Sequence, residues 1–165
     1  MEKIVRRVCK DDADTLAYIQ IESWKAAYAG IIDDETLMKY TNTENVKGIY
    51  QKLLDNKKGN GYLLFIDDKP HCIAYWDAAR DKELAGKAEL ICIHSLPNNW
   101  RKGCGSMMMS QVLKDMKDAG YSEVVLWVFR DNVRARAFYE SQGFMYTDRS
   151  KPAFNTEEVL YAKTI

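Results

Sequence analysis

The chain has 165 residues, 47% of them hydrophobic and 29% charged, with nine Gly and three Pro. A chain of this length suits one domain, read as residues 1–165, and the composition excludes a disordered, collagen-like or linker-dominated protein. Lys and Arg number 24, as do Asp and Glu, so no long-range field favours polyanions, and nucleic acid is not an expected partner.

Residues 3–8 mix Ile4, Val5 and Val8 with charges and read as a first strand. A helix follows Asp11 and Asp12, whose charges suit the positive end of its dipole; Leu16, Ile19 and Trp24 recur near helical spacing and Gly30 stops it. Residues 36–40 and 44–55 predict two short helices, the second with Val46, Ile49, Tyr50, Leu53 and Leu54 on one face. After a turn at 57–61, residues 62–66 and 72–76 predict strands joined by Asp67-Asp68-Lys69-Pro70. Residues 90–95 form an apolar strand before Pro97. Residues 103–119 carry Met108, Met109, Val112, Leu113 and Met116 in a stripe opposite Lys114, Asp115, Lys117 and Asp118, a helix closed by Gly120. A strand at 124–129, a helix at 133–141 stopped by Gly143, and strands at 144–147 and 159–162 complete the order. That order predicts an α+β fold around a mixed sheet with one parallel crossover section.

The longest uncharged stretches, 90–100 and 103–113, fall short of the ~20 apolar residues of a membrane span. The first ten residues lack a signal peptide's apolar centre, so a cytoplasmic location and no membrane partner are expected. Cys9, Cys72, Cys92 and Cys104 show no paired spacing, and only His71 and His94 could join them as nitrogen ligands. Reduced thiols and no metal are expected.

Residues 97–106, Pro-Asn-Asn-Trp-Arg-Lys-Gly-Cys-Gly-Ser, lie between a predicted strand and a predicted helix. Gly103 and Gly105 allow a close turn in which successive N–H groups and the helix N-terminus face one anion. The segment lacks the Gly-Lys-Ser/Thr ending of a P-loop and the G-x-G-x-x-G spacing of a dinucleotide fold. One strand later come Asn132, Ala135, Phe138-Tyr139 and Gly143-Phe144.

These two segments resemble the GCN5-related N-acetyltransferase (GNAT) family. Residues 100–105 match its pyrophosphate loop, Q/R-x-x-G-x-G/A, except that Trp100 stands at the Gln/Arg position. The later segment matches N-x-x-A-x-x-F-Y-x-x-x-G-F at every named position, and residues 23–30 are similar to the opening helices of small members. The resemblance implies a GNAT-like fold in which the strands at 90–95 and 124–129 splay apart. It implies acetyl-CoA as co-substrate, its pantetheine arm taking main-chain hydrogen bonds from Ile93 and Ser95 as an added strand would. The phosphates would be held by Arg101, Lys102, Gly103, Cys104, Gly105, Ser106, Asn132 and Ala135. Arg130, Arg134 and Arg136 surround Asn132, where they would meet a 3′-phosphate or lie in water.

An alkylammonium must lose a proton before its nitrogen attacks a thioester, and the departing thiolate is helped by a donor. The resemblance makes Tyr139 the acid. Glu89 is the expected base, with His94 its rival, and Trp24 and Tyr28 would line the acceptor pocket. Cys104 has no evident base beside it and His71 is expected in solvent; the run Met107-Met108-Met109 is expected to pack. The leading reading is direct transfer of acetyl to a primary amine of a small molecule or peptide. A protein N-terminus, a lysine or a charged tRNA remains a rival acceptor, a non-catalytic acyl-CoA-binding regulator is the rival class, and a homodimer is left open.

Overall fold

The computed structural model describes residues 1–165. In chain order the elements are β1 (Lys3–Arg7), α1 (Ala13–Ala27), α2 (Asp34–Tyr40), α3 (Thr43–Asp55), β2 (Asn60–Ile66), β3 (Lys69–Ala78), β4 (Ala88–Ser95), α4 (Cys104–Asp118), β5 (Glu123–Phe129), α5 (Val133–Ser141), β6 (Met145–Ala153) and β7 (Thr156–Thr164). Side-chain caps set several helix starts. Asp33 accepts from the Thr36 N–H at 2.8 Å, so α2 begins two residues earlier than expected, and Asn42 does the same for α3 through the Asn45 N–H at 3.0 Å.

The seven strands form one sheet in the order β1-β2-β3-β4-β5-β7-β6, with only β4 and β5 parallel. That parallel pair is in register only at Ala88↔Val124 and Glu89↔Val125. Beyond it the strands separate, as the expected splay requires. The cause lies in β4: its register with β3 shifts between Tyr75 and Trp76, which face Cys92 and Leu90, so Ile91 is left as a bulge residue. A bulge bends its strand, and the bend leaves β4 without a partner on the β5 side.

Strand alternation sends side chains to two cores. Leu64, Cys72, Ala74 and Trp76 face the α4 side, where Met108, Met109, Val112 and Met116 are fully buried as the stripe predicts. Each such side chain contributes about 1.5–3 kcal/mol on leaving water. Leu63, Ile73 and Tyr75 face the opposite side and pack on Leu16, Ile19, Val46 and Tyr50 from α1 and α3. Ile49, expected on the buried face of α3, is instead 59% exposed.

The last two strands are longer than expected. The strand expected at 144–147 instead runs as β6 to Ala153, with a register shift between Tyr146 and Ser150 and a left-handed Asp148 (φ 63°). Because β6 is an edge strand, its charges meet solvent or a facing carboxylate, Arg149 with Glu83 and Lys151 with Asp81, and Pro152 removes no needed ladder bond.

Candidate active site

The loop from β4 to α4 has an unsatisfied backbone. None of the N–H groups from Arg101 to Ser106 finds an acceptor in the chain, and the first bond of the α4 ladder is Met107 N–H to Gly103 O at 3.1 Å. Arg101 and Gly103 take left-handed φ of 62° and 81°, which turns these donors together. Gly105 is small for a different reason: a Cβ there would sit 3.0 Å from the Phe138 ring of α5. Lys3 Nζ donates to Lys102 O at 2.5 Å and braces the loop from β1. His71, expected in solvent, also holds it: Leu96 N–H donates to His71 O, and the His71 ring meets the Asn99 amide. Cys104 contributes its N–H to the turn while its side chain is buried in the core.

Around this loop the sequence-predicted residues converge. Trp100 donates its indole N–H to Ser95 O at 3.1 Å and carries the Arg134 guanidinium 3.5 Å above its ring. Asn132 caps α5 by accepting from the Ala135 N–H at 3.2 Å, and Ser106 Oγ accepts from Gln142. Arg130 and Arg136 are not available to a phosphate. Arg130 pairs with Glu157, and Arg136 donates to Tyr161 and to Arg130 O.

The gap between β4 and β5 opens into a cavity of about 870 Å³ lined by Ile91, Cys92, Ile93, His94 and Ser95 on one wall and by Trp127, Val128 and Phe129 on the other. Tyr139 of α5 reaches the same cavity, and its hydroxyl has no partner within the chain yet is not sealed from the space. Burial raises its pKa well above the usual tyrosine value, so near neutral pH it is a proton donor. Cys92 and Cys72 are pushed up to about 12 by burial, and the Cys104 thiol is raised for the same reason. No thiolate nucleophile is therefore at hand.

On the face opposite α4, Trp24 of α1 and Tyr28, which caps that helix's C-terminus, form the far wall of the cavity. Their rings meet edge to face at 4.9 Å, and Tyr28 meets Phe129 in the same way at 4.9 Å. Trp24 donates its indole N–H to His94 Nε2 at 3.3 Å, which assigns the ring proton of a neutral His94 to Nδ1. Burial lowers the His94 pKa to about 4. Its free lone pair is engaged and its proton affinity is low, so the geometry gives it a wall rather than a base.

Glu89 is 1% exposed and does not line the cavity. Arg80 covers it with three bonds: Nε to Oε1 at 3.1 Å, Nη2 to Oε2 at 2.6 Å, and its own N–H to Oε1 at 3.1 Å. Both oxygens of Glu89 are engaged by Arg80 and neither faces the cavity, so the geometry does not place it where the expected base would stand. Sequence reasoning missed Arg80, Asp77, Tyr75 and Glu158, which also line the cavity. Only Tyr75 lay within an expected strand, whose alternation does not say which face holds a site; the other three lay outside every expected strand and motif.

A family model described as the acetyltransferase (GNAT) family matches residues 20–144. The chain belongs to that family and is an acetyltransferase. It is similar to a spermidine N(1)-acetyltransferase of Thermoplasma acidophilum, 29% identical over 162 residues that cover 93% of this chain and 95% of that one. An uncharacterized N-acetyltransferase of Archaeoglobus fulgidus is 29% identical over 142 residues, 84% of this chain and 90% of that one. The fold is shared with the crystal structure of the PaiA N-acetyltransferase of Thermoplasma acidophilum in complex with coenzyme A, at a TM-score of 0.86 and 24% identity over the whole of both chains. No helix is long and apolar enough to cross a membrane.

Proposed function

We propose that this enzyme moves the acetyl group of acetyl-CoA directly to a primary amine of a small polyamine. The observation that carries the reading is the run of unpartnered N–H groups from Arg101 to Ser106, at the mouth of a gap that runs along an unpaired strand edge to the Tyr139 hydroxyl. Donors left without acceptors at a helix start suit a pyrophosphate, and the free edge of β4 around Ile93 and Ser95 suits the amides of a pantetheine arm. Arg101, Lys102 and Arg134 add positive charge beside the loop. Bound there, acetyl-CoA supplies an activated acyl thioester. The chain's own residues orient it, and Tyr139 holds a proton for the departing sulfur.

The acceptor side favours a cation. The aromatic residues Trp24, Tyr28, Tyr75, Trp127 and Phe129 and the acidic residues Asp77 and Glu158 line the same cavity, a composition that suits a cation. The relative named for spermidine acetylation supports this choice of acceptor. Initial-rate kinetics with acetyl-CoA and spermidine, followed by thiol release, test the reading. Intersecting lines are expected for a ternary complex; parallel lines would reject direct transfer, and tight acetyl-CoA binding without thiol release for any amine would reject the enzyme in favour of a regulator.

A further inference from the structure

Glu158 is a carboxylate that the fold leaves without a partner. In the β5–β7 register Phe129 faces Glu158 and Trp127 faces Leu160, while Val159 and Tyr161 point into the α4 core. Glu158 therefore lies on the acceptor face beside Trp127 and Phe129, and it lines the cavity. It is half-buried, and no hydrogen bond or ion pair within the chain engages its side chain. Its neighbour Glu157 does have one, to Arg130.

The charges that face Glu158 are committed elsewhere. Arg80 is spent on Glu89. Lys151, across the β6–β7 ladder, lies 4.2 Å above the Trp127 ring and 3.6 Å from Asp81. Burial raises the Glu158 pKa, Lys151 and Arg80 oppose that rise, and Glu89 and Asp81 add to it. Tyr28, the remaining ionisable neighbour, is kept protonated by burial. Burying a carboxylate without a partner costs stability, and an ammonium entering the cavity supplies the missing partner.

We propose that Glu158 is the catalytic base, which binds the acceptor's ammonium and takes its proton. This assignment rests on the acetyl transfer proposed above. The carboxylate accepts one proton from the ammonium, and the freed nitrogen lone pair bonds to the thioester carbonyl carbon. The C–S bond breaks and the sulfur takes the Tyr139 proton. The nitrogen's second proton replaces it on Tyr139, and Glu158 returns the first to solvent. Desolvation helps the initial step from both sides, since it weakens the ammonium's hold on its proton and strengthens that of the carboxylate.

The test is Glu158→Gln and Glu158→Asp in the full chain, with spermidine and acetyl-CoA as substrates. For Glu158→Gln, kcat near neutral pH should fall about 100-fold, with the KM for acetyl-CoA unchanged. The deficit should shrink as the pH approaches about 10, where the amine arrives unprotonated, and Glu158→Asp should recover part of the loss. Thermal stability should not fall, because Gln removes the cost of burying a charge. Undiminished turnover of Glu158→Gln, or a deficit that is the same at every pH, would overturn the assignment while leaving acetyl transfer intact. A wild-type enzyme that releases no thiol with any amine would instead overturn the transfer reading itself.

Discussion

Replacing Arg80 by Met would strand Glu89. The Glu89 residue is 1% exposed, and two of its three bonds come from the Arg80 side chain at 3.1 and 2.6 Å. Hydrogen bonds to a charged group are worth about 1.5–3 kcal/mol each, and breaking a buried ion pair costs about 3–5 kcal/mol. The Arg80 side chain is 62% exposed, so solvent screens the pair and the lower end must be discounted further; the Arg80 N–H also remains as a donor. About 2 kcal/mol is the resulting loss, and at about 2–4 °C per kcal/mol for a chain of this size the melting temperature should fall by about 4–8 °C. Calorimetry near neutral pH reads it. Substituting Glu89 by Leu in the same background should restore much of the loss, since a hydrophobic pair removes the stranded charge. An unchanged melting temperature for Arg80→Met, or no recovery in the double variant, would refute the reasoning. Glu89→Gln, which keeps an acceptor for Arg80, should retain the wild-type acidic limb of the rate profile.

Tyr139→Phe should lower kcat about 100-fold with acetyl-CoA affinity retained, checked by steady-state rates beside calorimetric binding; equal turnover would remove the acid role. His94 carries a pKa of about 4 in the folded chain against about 6.5 unfolded. Between those values the unfolded chain binds a proton that the folded one refuses, so stability falls as the pH drops through this window, by about 2 kcal/mol at about pH 5. His94→Gln should abolish that share of the loss, and melting curves at neutral and mildly acidic pH that fall equally for both proteins would contradict it.

The elements around the proposed cofactor loop were legible because their signals are local. Gly103 and Gly105 announce a turn, the methionine stripe announces a buried helix face, and Asn132 with Tyr139 sit at fixed offsets on one short helix. What stayed hidden depends on contacts across the sheet. The partner of His94 is Trp24, 70 positions away, and the partner of Glu89 sits on the far side of a loop with no motif of its own. The extent of β6 was unreadable because an exposed edge tolerates the charges and proline that elsewhere mark a loop. Glu158 lies one residue before the strand expected at 159–162, and nothing in the sequence shows that its face borders a cavity.

A crystal structure with bound acetyl-CoA tests the central claim most directly. The pyrophosphate should accept from the N–H groups of residues 101–106, with the pantetheine arm beside Ile93 and Ser95 and the sulfur within hydrogen-bond reach of the Tyr139 hydroxyl. Phosphates lodged away from that turn, or a thioester remote from Tyr139, would contradict the account.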